Sequence, residues 1–376
     1  MSQKNHQKHA KLAKPSIGNF GRNEFSFVGT SCGLIKNLCA TIIDSLNQKY
    51  KITYIDADHA ENNENPVELK NAFFTDKITY KRLDIQEVNG FQQKFLLNNQ
   101  DLILVNGNHF EANKQFVFID TKKEASLKKR IAQLTNIQAF ILLDDSTEIF
   151  PFLKESIPNW AEIPVFKLNE SEKLVHKIEA SYIVPPLKGL VLAGGKSTRM
   201  GIDKGTINYH GIAQREYVYE LMNMVCQETY ISCRTEQADE IELPTITDKF
   251  SDLGVYGAIL SAFQHDPNAA WLIVACDLPL LGIQSLQFLK ENRAVSKIAT
   301  AFYNPETQFP DPLLTIYEPK AYQTLLQFLG LGYSCPRKVL INSDTHIIQP
   351  NSSQILANAN TPEEAEKIKA YLKKIS

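Results

Sequence analysis

Gly189-Leu-Val-Leu-Ala-Gly-Gly-Lys-Ser-Thr-Arg-Met-Gly-Ile-Asp-Lys-Gly205 runs a continuous apolar segment straight into a loop dense in glycines and cations. A short apolar run that stops at a glycine cluster reads as a buried strand, and strands apolar on both faces belong to parallel sheets covered on both sides. The loop therefore leaves the C-terminal end of a central strand, which is where an open α/β sheet binds its ligand. Glycines let backbone N–H groups approach an anion closely. Lys196, Arg199 and Lys204 add positive charge beside them. A glycine-rich loop with these cations suits a nucleoside triphosphate, whose charge must be neutralised along its length.

Upstream of this loop, Ile183-Val-Pro-Pro-Leu-Lys188 marks a boundary, because consecutive prolines continue neither a helix nor a central strand. Downstream, strands are expected at Glu228–Ser232, Ala270–Cys276, Lys297–Phe302 and Pro312–Tyr317, with a short one ending at Thr247-Asp248. Helices are expected at Gln214–Met224, Tyr256–Gln264, Gln284–Glu291, Lys320–Leu329 and Pro362–Lys374. The last begins with Thr361, Pro362 and Glu364, an N-cap, a first-turn proline and an acid three residues on.

The same alternation fills the first half. Strands are expected at Phe25–Val28, Lys51–Ile55, Asp101–Val105, Gln115–Ile119 and Ala139–Leu143, and helices around Leu34–Gln48 and Lys123–Leu134. The predicted fold class is α/β, with two doubly wound domains. The expected division is a basic tail over 1–24, a first domain over 25–184 and a second over 187–376.

Composition narrows the function. A net charge of -2 gives no global basic field for nucleic acid. Lys4, Lys8, Lys11, Lys14 and Arg22 do cluster in the tail, as a solvated terminus or as a docking arm for an acidic partner. The tail has no apolar core of a secretory signal, and no run is long enough to span a membrane. Cys32, Cys39, Cys226, Cys233, Cys276 and Cys335 form no C-x-x-C pair, which favours free thiols in a reducing cytoplasm.

The loop string is similar to the signature of molybdenum cofactor guanylyltransferases, the MobA group of a Rossmann-like nucleotidyltransferase superfamily. Leu192, Ala193, Gly194, Gly195, Ser197, Arg199, Met200, Gly201, Asp203 and Lys204 carry the match. The resemblance extends over roughly residues 188–370. Asp248 precedes Gly254-Val-Tyr-Gly257-Ala, where family members usually carry a proline that this chain lacks. Ala275-Cys-Asp277-Leu-Pro279 resembles a motif whose Asp binds magnesium. Asn358-Ala-Asn360-Thr-Pro-Glu363 resembles a motif near the acceptor pocket.

The resemblance implies that Leu192, Ala193, Gly194, Gly195, Lys204, Asp248 and Asp277 contact nucleotide. Arg199, Lys204 and Asp277 carry catalysis, with Asp277 holding Mg²⁺. Asn358 and Asn360 face the acceptor. Apart from the resemblance, Arg337 with Lys338 reads either as a contact for the acceptor phosphate or as a solvated helix face. Asp277 also suits magnesium on chemical grounds, since that ion takes one or two carboxylates and completes its shell with phosphate oxygens and water. The reaction implied is transfer of GMP from GTP to molybdopterin, the molybdenum cofactor precursor, with release of pyrophosphate; molybdoenzymes or their chaperones are further expected partners. The Gly194-Gly195 form points to guanine. Against it, Ile231-Ser-Cys-Arg234 stands where guanylyltransferases typically carry an Asn, so CTP stays open, as do a sugar-phosphate acceptor and a non-catalytic nucleotide-binding regulator.

In the first half, Gly29-Thr-Ser-Cys-Gly33-Leu-Ile-Lys36-Asn37 follows a strand and opens a helix, the position of a P-loop. The P-loop pattern is not met: Gly33 comes early, Lys36 late, and Asn37 replaces the hydroxyl residue. The arrangement, with Asp56 and Asp58 after the second strand and Asn106 in place of an acid, resembles a degraded member of the MobB group of P-loop GTP-binding adaptors. Weak or absent hydrolysis is the expectation.

Overall fold

Strands form where apolar residues run without interruption, and helices where they recur at helical spacing. The computed structural model describes residues 18–57, 72–76, 79–85, 88–144, 148–194 and 203–375. The chain divides into two compact units, Met1–Ile183 and Val184–Ser376. Among the described residues no helix is long and apolar enough to cross a membrane.

In the first unit, β1 (Glu24–Val28) leads through α1 (Cys32–Leu46) to β2 (Ile52–Ile55). An antiparallel pair follows, β3 (Ala72–Asp76) and β4 (Lys81–Ile85), then α2 (Gly90–Leu97). Next come β5 (Leu102–Asn106), β6 (Lys114–Ile119), α3 (Glu124–Lys128), β7 (Ile137–Leu142), α4 (Pro151–Ser156), β8 (Val165–Lys167) and α5 (Ser171–Ala180). The main sheet has the order β2-β5-β1-β6-β7-β8, and every neighbour pair is parallel. Phe25, Phe27, Phe116 and Phe118 pack one face under α1 and α5. Val117, Ile119 and Phe140 pack the other against Leu127, Phe152 and Leu153.

Two expectations for this unit are corrected. The helix expected over Lys123–Leu134 is broken: a 3₁₀ turn covers Thr121–Lys123, α3 ends at Lys128, and a second 3₁₀ turn covers Ile131–Gln133. Arg130 accounts for the break, because its guanidinium folds back onto the Ser126 carbonyl at 3.0 Å and across to the Asn108 carbonyl at 3.0 Å. The second concerns the glycine loop, which ends sooner than the motif suggests. With α1 starting at Cys32, Gly33 and Lys36 lie inside the helix, and Lys36 is exposed. Gly29 is the glycine the loop requires: its φ is +103°, and a Cβ would sit 2.6 Å from the Phe118 carbonyl.

The second unit begins with β9 (Leu187–Leu192), α6 (Gln214–Asn223), β10 (Glu228–Cys233), β11 (Thr245–Thr247), α7 (Val255–His265) and β12 (Ala270–Ala275). It continues through α8 (Ile283–Glu291), β13 (Ala299–Asn304), β14 (Phe309–Tyr317), α9 (Lys320–Gly330), α10 (Pro336–Ile341), β15 (Thr345–Ile348) and α11 (Pro362–Ile375). The sheet order is β11-β10-β9-β12-β14-β13-β15. It is mixed, since β14 runs antiparallel to both neighbours while the other pairs are parallel. Helices α6 and α8 cover one face through Val218, Met222, Leu286 and Leu289. Helices α7, α9 and α10 cover the other, around the fully buried Trp271 and Tyr256.

This topology fixes where a ligand can go. From β9 the chain winds outward through β10 to β11, then returns to place β12 on the opposite side of β9. The C-terminal ends of β9 and β12 therefore flank a topological switch point, the crevice where open α/β sheets bind ligands.

Candidate active site

The crevice is a cleft of about 510 Å³. Leu192, Ala193 and Gly194 after β9, and Asp277 after β12, form its floor. Lys204, Asp248 and Asn360 also line it. The sequence spreads these residues over much of the second unit, and the sheet edge brings them together.

Lys204 is delivered by the 3₁₀ turn Lys204–Thr206, whose N-cap Asp203 accepts a hydrogen bond from Gly205 N at 2.9 Å. Its ammonium donates to Asp277 Oδ2 at 3.1 Å and to Asn360 Oδ1 at 2.7 Å. Asn360 is held in turn by the start of α11. Glu364 Oε2 accepts from Asn360 N at 2.7 Å and from Thr361 N at 3.2 Å, while Thr361 Oγ1 accepts from Glu364 N at 3.3 Å. This is the reciprocal cap read from the Thr361-Pro-Glu-Glu364 sequence. Ala359 N donates to the Asp277 carbonyl at 3.1 Å, so the same segment braces the backbone of the carboxylate.

Asp277 and Lys204 are each 19% exposed. Asp277 Oδ1 is buried and makes no hydrogen bond. A buried carboxylate oxygen without a donor is costly, so it is suited to a cation or a ligand donor. Among the described residues no three acidic, His or Cys side chains gather as a metal cluster. A site of one protein carboxylate completed by phosphate oxygens is what magnesium accepts and zinc does not. Asp277 is thus the residue that could hold Mg²⁺.

Two neighbours stay protonated. Burial first, and the Asp277 carboxylate second, push the Cys276 thiol up to about 12. The same two causes push the Tyr209 phenol up to about 12. Neither supplies a nucleophile near neutral pH.

Asp248 lines the cleft and also holds its wall. Its Oδ1 accepts from Phe250 N at 2.8 Å and from Ser261 Oγ at 3.1 Å. Gly257 must be small there, because a Cβ would meet the Phe250 carbonyl at 2.5 Å and both Asp248 oxygens at 3.0 Å. Gly254 opens α7 at φ +54°, a conformation an L side chain rarely adopts.

A sequence model of the MobA-like NTP transferase domain matches residues 189–346. The molybdenum cofactor biosynthesis bifunctional protein of Synechocystis sp. is 36% identical over 200 residues, covering 52% of this chain and 58% of that protein. The molybdenum cofactor guanylyltransferase of Pseudomonas syringae pv. syringae is 31% identical over 193 residues, covering 48% of this chain and 91% of the relative. The chain belongs to the molybdenum cofactor guanylyltransferase family. The solved structure of molybdopterin-guanine dinucleotide biosynthesis protein A from Archaeoglobus fulgidus aligns at 22% identity and a TM-score of 0.43, over 50% of this chain and 99% of its own.

The other residues given a role from the sequence are either not described or do not line this cleft. Gly195 and Arg199 lie outside the described residues, as do Lys196 and Gly201. Asn358 is exposed and does not line the cleft; the buried Ala359 separates it from Asn360. Arg337 sits half-buried on α10 and does not line the cleft either, although its Nε is buried without a hydrogen-bond partner.

Arg234, the last residue of the stretch that lacks the usual Asn, was given no role of its own by the sequence; it follows β10 and lines the cleft beside Gly194. Its Nε donates to Gln237 Oε1 at 3.3 Å, and it pairs with Glu236 at 3.2 Å. The signal was available, since β10 neighbours β9 and its C-terminal end shares the crevice. Leu313 is a further lining residue that was not singled out, and Asp203 of the signature string also lines the cleft. At Gly194 an added Cβ would make only ordinary contacts, 3.4 Å at the closest, so packing alone does not demand glycine there.

Proposed function

We propose that the second unit is a Mg²⁺-dependent guanylyltransferase that transfers GMP from GTP to a terminal phosphate of molybdopterin and releases pyrophosphate. The observation that carries this reading is the Lys204–Asp277–Asn360 cluster at the switch-point crevice, with Asp277 Oδ1 buried and unpartnered. The relatives' names supply the acceptor and the base.

The triphosphate lies over the Leu192-Ala193-Gly194 turn, where a glycine leaves the backbone accessible. Lys204, released from Asp277 as the anion arrives, neutralises charge at the α-phosphate. Asn360 keeps the ammonium aimed by accepting one of its N–H bonds. Asp277 would hold Mg²⁺, which supplies Lewis-acid stabilisation of phosphate charge. By family resemblance Arg199 meets the leaving pyrophosphate. The acceptor phosphate is already ionised at neutral pH, so no general base is needed, and positioning and electrostatics provide the rate. Arg234 lies beside the nucleotide's end of the crevice, and its fork can donate twice to the O6/N7 edge of guanine, a pairing cytosine does not offer.

For the first unit we propose a MobB-like P-loop scaffold without efficient hydrolysis, supported by the placement of Gly33 and Lys36 inside α1. Molybdoenzymes or their chaperones are the partners proposed for product delivery.

The test is pyrophosphate release with Mg²⁺, molybdopterin and each of the four nucleoside triphosphates. Release with GTP alone is expected, and chelation of the metal should abolish it. Release with CTP alone would keep the enzyme and overturn the base. No release with any triphosphate would overturn the proposal.

A further inference from the structure

A second pocket of about 260 Å³ lies at the C-terminal edge of the first unit's sheet, between the loop after β1 and the turns after β5 and β6. It holds a nucleophile paired with a base. Cys32 begins α1 and is exposed, and its Sγ lies 3.2 Å from His109 Nε2. Asn108 Nδ2 approaches the same sulfur at 3.8 Å.

The pair is held in place from both sides. Asn108 also donates to the Thr30 carbonyl at 2.8 Å and accepts from Gly29 N at 3.3 Å, tying the loop after β5 to the loop before α1. His109 Nε2 lies 3.7 Å from Asp56 Oδ1. That carboxylate is fixed by Asn106 Nδ2 at 2.8 Å and by the Tyr54 hydroxyl at 2.7 Å. A thiol within hydrogen-bond reach of an imidazole nitrogen is the pairing by which a base activates a sulfur nucleophile; Asp56 faces that same Nε2, so it neighbours the pair without orienting the ring from its other side.

The surroundings select the reagent. Lys123 and Arg130 line the pocket, and among its described lining residues there is no carboxylate, Asp56 standing behind His109. The other thiols differ in kind. Burial pushes Cys39, Cys226, Cys233 and Cys276 up, which leaves them as protonated packing groups. Cys335 is exposed like Cys32 and serves as an internal reference.

We propose that Cys32 is a reactive thiol, with His109 as its proton acceptor, that exchanges with low-molecular-weight disulfides bearing carboxylates. His109 takes the thiol proton, and Cys32 Sγ attacks one sulfur of the disulfide. A protein–ligand S–S bond forms as the ligand's own S–S bond breaks, and the departing thiolate takes the proton from His109. The incoming disulfide is the only oxidant, and the carboxylates rest toward Lys123 and Arg130. This inference does not depend on the function proposed for the second unit.

The test uses the full chain and glutathione disulfide, with adducts at Cys32 and Cys335 timed by peptide mass mapping near pH 7. Cys32 should react at least about tenfold faster than Cys335. Alkylation by iodoacetate relative to iodoacetamide should also be faster at Cys32 than at Cys335, and Lys123→Gln should reduce that preference. In folded His109→Gln the Cys32 rate should fall about tenfold, with Cys335 unchanged. Equal rates at the two cysteines in the unaltered protein would overturn the proposal without recourse to any variant. So would a folded His109→Gln protein whose Cys32 reacts at the original rate.

Discussion

At the scale of single residues, Asp277 carries the sharpest expectation. Its Oδ2 pairs with Lys204 and its Oδ1 is buried without a partner, which leaves one carboxylate oxygen open to a cation. Asp277→Asn keeps the shape and removes the charge. Pyrophosphate release should fall by about 10²–10³-fold, the scale of losing one preorganised electrostatic contact, with the thermal midpoint little changed. Activity near that of the unaltered protein would refute the assignment. Under the proposed function, Arg234 would bear on specificity. Arg234→Ala should raise the KM for GTP more than it lowers kcat, and should narrow the preference for GTP over CTP by about tenfold or more, since a good bidentate base contact is worth ~1–3 kcal/mol. Unchanged discrimination would remove Arg234 from base recognition. These residues were unequally legible. Lys204, Asp277 and Asn360 sit in strings long enough to read, whereas Arg234 is a single cation in an unremarkable tripeptide. Its role becomes visible only when β10 is known to lie beside β9.

At the scale of elements, β5 and β12 were legible because both faces of each are buried and their apolar residues run together, while β1 and β9 were read from the shorter apolar stretches around Ser26 and after Lys188. The direction of β14 was also recoverable, in principle. The link 305–308 between β13 and β14 is far too short for a crossover, so the two strands had to pair antiparallel. Short or weakly patterned elements escaped: β8 has three residues, and β4 alternates charged with apolar side chains. One tertiary contact that no local pattern reveals joins α8 to the end of β14. Arg293 clamps Glu318 through Nε at 2.6 Å and Nη2 at 2.9 Å, and Nη2 also donates to the Pro185 carbonyl at 3.0 Å. Glu318 is fully buried and Arg293 is 10% exposed. Arg293→Met would strand a buried carboxylate, and urea denaturation should register a loss of about 3–5 kcal/mol. A loss below about 1 kcal/mol would mean the pair behaves as an exposed one.

At the scale of the whole molecule, the contact division at Ile183/Val184 and the family match over residues 189–346 coincide on the same half of the chain. Every cleft residue described lies in the second unit, from Leu192 to Asn360. That unit has its own cores on both faces of its sheet, and a domain with its own core can fold alone. Residues 184–376 produced as a separate chain should therefore fold cooperatively and release pyrophosphate at a rate within about threefold of the full chain, because catalysis rests on groups local to the crevice. The reactive-thiol pocket belongs to the first unit and is absent from the fragment, so the full chain's rate before and after modification of Cys32 gives a direct measure of coupling. A fragment that folds but loses most of its activity would show that the first unit contributes to the chemistry itself. That outcome would also remove the scaffold reading proposed for its P-loop position, since a passive scaffold has no route to the reacting phosphates.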